Sequence, residues 1–409
     1  MPPSTPTDCD LLVIGAGPAG SACATWLARQ GRSVVLVDQH DFPRDKVCGD
    51  GLIPDAHRAL QRIGALHEVM SRAQAVQHVA CIGPRGGRVD VPGRLAVLPR
   101  RELDDILKRG AERAGAKFMA PWRFESPLID DATGRVVGAL LKTPDGPRSL
   151  RARWTVLATG AVPRALISAD MCQRRTPSGV ALRGYVRNPA MVGRIKALEV
   201  VWHKRLRMGY GWIFPCPGGV FNVGMGLAHS HPRVDAGGRR SMADVNLREL
   251  FSIFTEVHAP ARELIAGGQW IGELKGAPLR CSLEGTQLSR PGLLVTGEAA
   301  GSTYAFSGEG IGKAIETALM AAEALLAGGD DAAVEAHYSA ALARLKPRFE
   351  LYERANRVNQ HPWLADLLIW RARRSPRILA RMAGVLEETN NPGHLITLRG
   401  LTRLFVPLR

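Results

Sequence analysis

Three glycines near the N-terminus, Gly15, Gly17 and Gly20, have the GxGxxG spacing of a turn that binds a dinucleotide. In such a turn the first glycine allows a tight bend, the second lets a pyrophosphate approach the backbone, and the third lets a helix pack closely on a strand. Asp38 follows eighteen residues after the last glycine, where a carboxylate accepts from a ribose hydroxyl. The residues that we expect to form this cofactor site are Gly15, Gly17, Pro18, Ala19, Gly20 and Asp38.

Aromatic side chains alternate in a second segment whose spacing suits chemistry. Tyr210, Trp212 and Phe214 are each separated by one residue, so a β-strand would place all three on one face. Such a face supplies rigid apolar walls, which orient a substrate without polar groups by shape alone. The alternative is that the three rings are simply the core of a sheet.

Cysteine and histidine residues give no sign of a metal site. Seven cysteines are scattered without a CxxC pair, which indicates free thiols rather than a disulfide framework or a zinc site. His229 and His231 form a near pair without further ligands in the pattern. We therefore predict that the protein binds no metal.

The predicted elements place the glycine turn between two buried strands. Residues 10–14 and 34–37 are apolar runs, and residues 19–29 between them are rich in small helix formers. This order predicts a parallel β-α-β unit with a right-handed crossover. Further apolar runs at 154–158 and 293–296 predict additional strands of the same sheet.

The rest of the chain predicts a second sheet and a helical end. Residues 176–275 contain shorter strand patterns with aromatic and glycine residues, which favour a mainly antiparallel sheet. Helical patterns follow at 311–326 and 332–358, with broken helices beyond. We expect an α/β fold with a discontinuous Rossmann-type cofactor domain, a mainly antiparallel β-sheet substrate domain and a C-terminal helical region. The predicted bounds are 1–75, 96–175 and 276–330 for the cofactor domain, 76–95 and 176–275 for the substrate domain, and 331–409 for the helical region.

Two later segments accompany the glycine turn: residues 293–301, a strand followed by a turn, and residues 308–312, which open a long helix. Together the three segments resemble the flavoprotein superfamily typified by p-hydroxybenzoate hydroxylase. In that superfamily an acid after a late strand contacts the ribityl chain of FAD, and the start of the following helix faces the flavin pyrimidine. Glu298 stands here in place of the usual Asp. Backbone N–H groups at a helix start suit the pyrimidine, because reduced flavin carries negative charge there. The resemblance implies non-covalently bound FAD, with contacts from Gly297, Glu298, Gly308, Gly310 and Ile311.

Two further segments extend this resemblance and qualify it. Arg100 begins an Arg-x-x-Leu-Asp segment whose arginine reaches the cofactor in that superfamily, and a guanidinium suits phosphate and ribose oxygens. Gly160 ends an Ala-Thr-Gly segment where the hydroxylases have Ala-Asp-Gly. The resemblance implies that Arg100 and Gly160 contact FAD, while the missing acid weakens a hydroxylase function.

The aromatic segment is similar to the geranylgeranyl reductase family. That family has an aromatic-x-Trp-x-Phe-Pro segment, then seven or eight residues, then Gly-x-Gly, and residues 210–226 match it throughout. Residues 43–50 match as well, and the resemblance runs from about residue 8 to about residue 330. It implies an FAD-dependent reductase that adds a hydride from reduced flavin and a proton across C=C bonds of an isoprenoid or similar lipid-like substrate. It also implies cofactor contacts from Arg44, Cys48 and Gly49.

The same resemblance assigns roles and leaves alternatives. Tyr210, Trp212 and Phe214 become the substrate-binding walls, and Cys48, Tyr210 and Trp212 become the catalytic candidates. Cys48 is the expected proton donor. The alternatives are that Cys48 is an inert thiol and that Tyr210 or a bound water donates the proton. An FAD-dependent aromatic monooxygenase is the alternative function. A flavin-dependent halogenase fits less well, because its Trp-x-Trp-x-Ile-Pro segment differs at Tyr210 and Phe214. The non-enzymatic alternative is a flavoprotein that only binds a partner or a membrane.

Charge limits the partners of the protein. The formal net charge is +16, and residues 341–409 contain 13 basic and 5 acidic residues. This surplus favours an anionic membrane surface, an anionic substrate or an acidic electron carrier, whereas no nucleic-acid motif accompanies it. The segment 363–381 has apolar and aromatic residues followed by five arginines, which suits an anionic lipid surface. The alternative is a helical lid with a solvated basic face.

Hydropathy and motif counts complete these expectations. The apolar runs are far shorter than the ~20 residues that cross a bilayer, and no basic apolar signal segment precedes the first strand. We expect a cytoplasmic protein that associates peripherally with the inner face of the membrane. Since no second GxGxxG is present, the electron donor would be transient NADPH or reduced ferredoxin.

Overall fold

The structure is a computed structural model that describes residues 8–206, 208–228 and 246–390. The strands are β1 (Cys9–Ile14), β2 (Val34–Val37), β3 (Gly51–Leu52), β4 (Gln74–Ile82), β5 (Arg88–Val97), β6 (Lys117–Met119), β7 (Arg123–Ile129), β8 (Val136–Thr143), β9 (Gly146–Leu157), β10 (Gly179–Arg187), β11 (Leu198–Val201), β12 (Gly209–Cys216), β13 (Val220–Ala228), β14 (Gln269–Leu279), β15 (Ser289–Arg290) and β16 (Leu293–Val295). The α-helices are α1 (Pro18–Arg29), α2 (Pro54–Arg62), α3 (Leu66–Arg72), α4 (Arg100–Arg113), α5 (Arg164–Ser168), α6 (Leu247–Val257), α7 (Ala259–Ala266), α8 (Ile311–Ala327), α9 (Asp331–Ala355), α10 (Arg357–Gln360), α11 (Trp363–Ala372) and α12 (Pro376–Leu386).

The first sheet has eight strands, with the order β15-β16-β9-β1-β2-β6 and the β7–β8 hairpin joined to β9. β1 pairs in parallel with β2 and β9, so that Leu11 lies opposite both Val34 and Trp154. Helices α1, α4 and α8 pack on one face, and the β7–β8 hairpin and α5 pack on the other. The central strands are buried on both faces, which explains their continuous apolar sequences.

The carboxyl ends of these parallel strands meet at one edge of the sheet. α1 begins there with Pro18 directly after Gly17. Proline suits a first helical position, because the N–H that it lacks would have no partner within the helix. α8 begins at the same edge after Gly310. In open α/β sheets, ligands bind at this edge.

The second sheet also has eight strands, with the order β14-β10-β13-β12-β11-β4-β5-β3. Its neighbours are antiparallel except for the parallel pair β11 and β4. Ile213 faces a core formed with α6 and α7, so the alternate residues of β12 face the other way. The predicted α/β fold class with a mainly antiparallel second sheet and C-terminal helices is confirmed.

The second sheet extends past the predicted domain bounds at several places, and the division into domains stays a prediction. β14 continues to Leu279, beyond residue 275, because its pairing with β10 continues to Gly179. β5 continues to Val97, beyond residue 95, because it also pairs with the short strand β3.

The C-terminal helices cover part of the second sheet. The predicted helix 332–358 is interrupted at Asn356, whose Nδ2 donates to the carbonyl of Ala228 at 2.8 Å. Three residues later, the Asn359 Nδ2 donates to the Phe306 carbonyl at 3.0 Å. Beyond this point α11 and α12 pack on β4 and β5. Among the described residues, no helix is long and apolar enough to cross a membrane.

Candidate active site

A continuous cavity of about 710 Å³ lies between the two sheets and the C-terminal helices. It begins at the glycine turn and extends to apolar side chains of α11 and α12. The predicted site residues that line it are Gly15, Gly17, Pro18, Ala19, Asp38, Arg44, Cys48, Gly49, Arg100, Gly160, Tyr210, Trp212, Phe214, Glu298, Gly308, Gly310 and Ile311. Gly20 and Gly297 do not line the cavity, whereas His229 and His231 lie outside the described residues.

The three glycines of the turn have different physical reasons to be glycine. Gly15 has a φ of +99°, and a Cβ atom there would lie 2.5 Å from the Ala158 carbonyl oxygen. A Cβ at Gly20 would overlap the Gly15 carbonyl oxygen. At Gly17 the nearest atoms are the Nη2 atoms of Arg44, at 3.6 Å, and Arg100, at 3.8 Å. Only Gly17 therefore keeps its side-chain position open toward the cavity, beside two guanidinium groups.

Asp104 of α4 aligns these two guanidinium groups. It accepts from Arg100 Nε at 2.6 Å and Nη2 at 2.8 Å, and its Oδ2 lies 3.0 Å from Arg44 Nη1. Each guanidinium has five N–H groups, so donors remain for a phosphate near Gly17. Asp38 directly follows β2 nearby, where it accepts from the backbone N–H of Ala16 at 2.9 Å. The arrangement has the chemistry to hold a pyrophosphate and a ribose.

The late glycine segments join the same site. A Cβ at Gly297 would lie 2.5 Å from the Ala19 Cβ, so this glycine packs against the first turn of helix α1 instead of facing the cavity. The Glu298 carboxylate faces the cavity, with Oε1 3.4 Å from Thr303 Oγ1 and Oε2 4.0 Å from Lys46 Nζ. Gly310 is the N-cap of α8, and no side chain caps that helix end. The N–H groups at the start of α8 are therefore available to an electron-rich ligand group.

The three aromatic residues of β12 lie on the cavity side of the second sheet. The ring centroids of Tyr210 and Trp212 are 6.3 Å apart, as are those of Trp212 and Phe214. Trp202 adds a fourth ring, 6.0 Å from Tyr210. The Tyr210 hydroxyl donates to the Ser307 carbonyl, which ties this wall to the loop before α8.

Packing of Trp212 explains the Gly-x-Gly that follows it. Its indole lies over Gly224 on the neighbouring strand, where a Cβ would overlap the ring. A Cβ at Gly226 would lie 3.4 Å from Cζ3 of the same ring. The side chain is 6% exposed and also lines the cavity, so it is at once part of the sheet core and part of the cavity wall.

A buried hydrogen-bond network connects Trp212 with the loop that carries Cys48. Trp212 Nε1 donates to Asn222 Oδ1 at 2.9 Å, and Asn222 Nδ2 donates to the Cys48 carbonyl at 2.8 Å and to Asp50 Oδ2 at 2.7 Å. Asp50 also accepts from the Tyr185 hydroxyl at 2.5 Å. Burial raises the pKa of Asp50 to about 6. Burial also raises the pKa of the Cys48 thiol, against the effect of Arg100, so Cys48 keeps its proton at neutral pH.

The far end of the cavity is apolar. Helices α11 and α12 line it with Leu368, Ile369, Met382 and Leu386, and strands β4 and β11 contribute Val79, Cys81 and Val200. These side chains present few hydrogen-bonding groups, so this end suits a hydrocarbon chain and orients it by shape.

Sequence patterns missed several polar residues of the site. Asp50 lies in a segment that matches the reductases, but its burial and its contact with Asn222 were not predicted. Asn222 falls within the eight residues between the aromatic segment and Gly-x-Gly, where the pattern specifies nothing. Glu309 stands between two glycines that were predicted as a helix start, yet it also lines the cavity.

Comparisons with known proteins match this geometry. Residues 8–178 match the family model described as an FAD binding domain. Menaquinone reductase from Mycolicibacterium smegmatis is 33% identical over 338 residues, which cover 79% of this chain and 78% of that protein. Digeranylgeranylglycerophospholipid reductase 1 from Methanopyrus kandleri is 28% identical, over 77% of this chain and 79% of that protein.

The fold likeness extends over nearly the whole chain. The structure of a geranylgeranyl bacteriochlorophyll reductase-like protein from Thermoplasma acidophilum has a TM-score of 0.69 at 21% identity, covering 98% of this chain and 96% of that one. The prediction of an FAD-dependent oxidoreductase is confirmed, and the chain belongs to the geranylgeranyl reductase-like family of FAD-dependent enzymes.

Proposed function

We propose that this enzyme reduces C=C bonds in the isoprenoid chain of a lipid-like substrate. The observation that carries the proposal is the continuity of the cavity, which extends from the glycine turn past Tyr210, Trp212 and Phe214 to the apolar end under α11 and α12. Relatives named menaquinone reductase and digeranylgeranylglycerophospholipid reductase support a substrate of this chemical class. Bound FAD, once reduced, supplies the hydride.

We infer the position of FAD from the chemistry of the residues at the glycine turn. Gly17, Arg44 and Arg100 suit its pyrophosphate, because the open backbone and the two guanidinium groups meet there. Asp38 suits the ribose. The free N–H groups of Gly310 and Ile311 at the start of α8 suit the flavin pyrimidine. The remaining proposed contacts come from Gly15, Pro18, Ala19, Cys48, Gly49, Gly160, Glu298 and Gly308.

The protein orients the alkene by exclusion and shape. An isoprenoid double bond has no hydrogen-bonding group, so it is placed only if rigid walls restrict the chain. Trp212 is suited to this task, because Gly224 and Asn222 fix its indole from two sides. Tyr210 and Phe214 extend the wall in both directions along β12. The same walls exclude water from the reacting carbons.

The reaction also requires a proton at the carbon that does not receive the hydride. Cys48 is protonated, but its raised pKa makes it a weak acid. Burial likewise raises the pKa of Tyr210, whose hydroxyl already donates to Ser307. Neither group is well matched to neutral pH, since the best general acid has a pKa near the operating pH.

We further propose that the enzyme meets its substrate at an anionic membrane surface through α11 and α12. Trp363 and Trp370 on α11 are 60% and 43% exposed, while Ile369 of the same helix is buried against the second sheet. Arg373, Arg374, Arg377 and Arg381 are exposed beside them. Aromatic side chains beside a basic cluster suit an anionic lipid surface.

The experiment is a single turnover with two candidate lipids. Protein with reduced FAD is mixed without oxygen with menaquinone or with a digeranylgeranyl glycerophospholipid, and the lipids are analysed by fragmentation mass spectrometry. The proposal expects a gain of two hydrogens per reduced bond, located in the isoprenoid chain. Reduction confined to the quinone ring contradicts it. Oxygen-dependent hydroxylation of an aromatic compound without chain reduction would instead establish a monooxygenase.

A further inference from the structure

Glu309 is an acidic residue that lines the cavity at the start of α8. Its backbone carbonyl accepts from the Tyr304 N–H at 2.8 Å, which fixes the loop between Ser307 and Gly310. Gly308 has a φ of +70°, and a Cβ there would lie 3.0 Å from the Tyr210 hydroxyl oxygen. The loop is thus held against the aromatic wall, with Glu309 lining the same cavity as Tyr210.

A buried lysine behind this loop is already surrounded by three other carboxylates. Lys313 Nζ lies 3.5 Å from Asp55 Oδ2, 2.6 Å from Glu316 Oε2 and 2.9 Å from Glu388 Oε1. Its hydrogen bonds are to Glu316 and Glu388, and Asp55 completes the charged cluster. A fourth carboxylate beside this cluster would be desolvated and without a cation of its own, which favours its neutral acid form.

The titratable groups that interact electrostatically with Glu309 come from five parts of the chain. They are Tyr210 of β12, Asp55 of α2, Lys313 of α8, Tyr352 of α9 and Glu388 after α12. Burial raises the pKa of Glu309 to about 8, with Asp55 and Glu388 adding to the rise and Ser307 and Lys313 opposing it. The group therefore holds its proton at pH 7 and loses it as the pH rises through about 8.

We propose that Glu309 donates the proton that completes reduction of the alkene, an inference that rests on the proposed function. The hydride of reduced FAD forms a C–H bond at one alkene carbon, while the Glu309 O–H bond breaks and its proton forms a C–H bond at the other. The alkene is reduced, FAD is oxidised, and Glu309 is left as a carboxylate that water reprotonates. Glu309 matches neutral pH better than Cys48 or Tyr210 does.

The test compares Glu309→Gln with Glu316→Gln. Both substitutions replace a carboxyl group with an amide of similar shape. Glu316 is the most exposed of the three carboxylates around Lys313, and it does not line the cavity. In single turnovers with menaquinone, Glu309→Gln is expected to slow flavin reoxidation by about 10²- to 10⁴-fold, the usual contribution of a general acid. Glu316→Gln is expected to retain nearly the wild-type rate, and both variants should keep FAD.

Infrared spectroscopy supplies a readout that does not depend on turnover. The FAD-bound wild type at pH 7 should show a protonated-carboxyl band that is lost in Glu309→Gln, retained in Glu316→Gln and titrated away through a pH of about 8. A missing band, or a Glu309→Gln variant with the wild-type rate and pH profile, overturns the proposal. A wild type that reduces neither candidate lipid contradicts the proposed function instead, because the band measures the proton on Glu309 separately.

Discussion

The two ends of the cavity are built from different kinds of residue. The glycine end consists of Gly15, Gly17, Asp38, Arg44 and Arg100. The helix end consists of Leu368, Ile369, Met382, Val385 and Leu386. At the glycine end each residue has a task that few other residue types perform, such as a φ of +99° at Gly15. At the helix end the side chains share one task, and apolar residues of similar volume exchange at little cost.

This difference separates the fixed from the adjustable part of the enzyme. A dinucleotide presents the same phosphates and riboses to every member of such a family, so its site tolerates little change. A hydrocarbon chain presents only length and shape, so its site changes with the substrate. Substitutions at the glycine end should therefore remove activity almost completely, whereas substitutions closer to the helix end should lower it by smaller amounts.

The largest effect is expected at Gly17. Replacing it with Val puts a branched side chain beside Arg44 and Arg100, where the pyrophosphate is proposed to approach. We expect folded protein that lacks FAD and therefore lacks activity. Flavin absorbance and a circular dichroism spectrum of the purified variant measure these two properties together.

Gly20→Val is the matched comparison for Gly17→Val. A side chain at Gly20 overlaps the Gly15 carbonyl, so the same substitution three residues later should prevent close packing of α1 and lower the melting temperature strongly. If Gly17→Val keeps wild-type FAD occupancy, the proposed position of the pyrophosphate is wrong.

A smaller effect is expected at Trp212, between the two ends. Trp212 and Trp154 are similarly buried, 6% and 5% exposed, but only Trp212 lines the cavity. Either residue changed to Ala should cost ~3–5 kcal/mol of stability. Only Trp212→Ala should also slow reoxidation per bound FAD, by about 10²-fold, because a loosened wall misplaces the double bond.

Melting temperature, FAD occupancy and single-turnover reoxidation are measured on both tryptophan variants. Equal rates per bound FAD in Trp212→Ala and Trp154→Ala would mean that Trp212 is only sheet core. Trp212→Phe provides a folded substitute if the Ala variant is too unstable, since it keeps an aromatic wall but removes the Nε1 bond to Asn222.

Sequence patterns predicted the glycine end far better than the rest of the cavity. Gly15 and Gly17 are predictable because a backbone constraint or an approaching ligand excludes other residues, and Asp38 is predictable from its fixed distance along the chain. Asn222 and Glu309 are not, because their surroundings are formed by groups distant in sequence, such as the Cys48 carbonyl for Asn222, and Asp55 and Glu388 for Glu309. The helix end was predicted only as helical, since its apolar residues do not differ from ordinary helix core.

Glu309→Gln should change stability in a pH-dependent way. The folded-state pKa of Glu309 is about 8, above the ordinary 4.5, so its neutral form favours the folded state at low pH and this contribution is lost as the pH rises to about 8. Glutamine has no such loss. The variant should therefore match the wild type at pH 4 and melt at a higher temperature at pH 9.

Thermal melts of the FAD-bound proteins across this pH range measure the effect. Equal melting temperatures at pH 9 would show that the pKa of Glu309 in the folded protein is not raised above its ordinary value. A matching gain in Glu316→Gln would assign the effect to the Lys313 cluster as a whole. A buried acid that lowers stability above neutral pH does not help the protein to fold. A role in function therefore explains its presence better than a role in folding does.

The smallest effect on the enzyme itself is expected from the exposed arginines outside the helix end. Arg373 and Arg381 are exposed on or beside α11 and α12, whose inner faces close the cavity. Changing both to Gln should weaken binding to phosphatidylserine vesicles by about 2 kcal/mol, roughly thirtyfold, at about 1 kcal/mol per residue. Turnover of detergent-dispersed lipid should stay unchanged, because neither residue lines the cavity.

Vesicle flotation at low salt tests this, with Arg32→Gln and Lys117→Gln as a control of equal charge change. Arg32 and Lys117 are exposed on the first sheet's side of the molecule, away from α11 and α12. If the control pair weakens flotation as much, net charge rather than the helix surface attracts the membrane. If the wild type does not float at all, the lipid must leave the bilayer before it reaches the cavity.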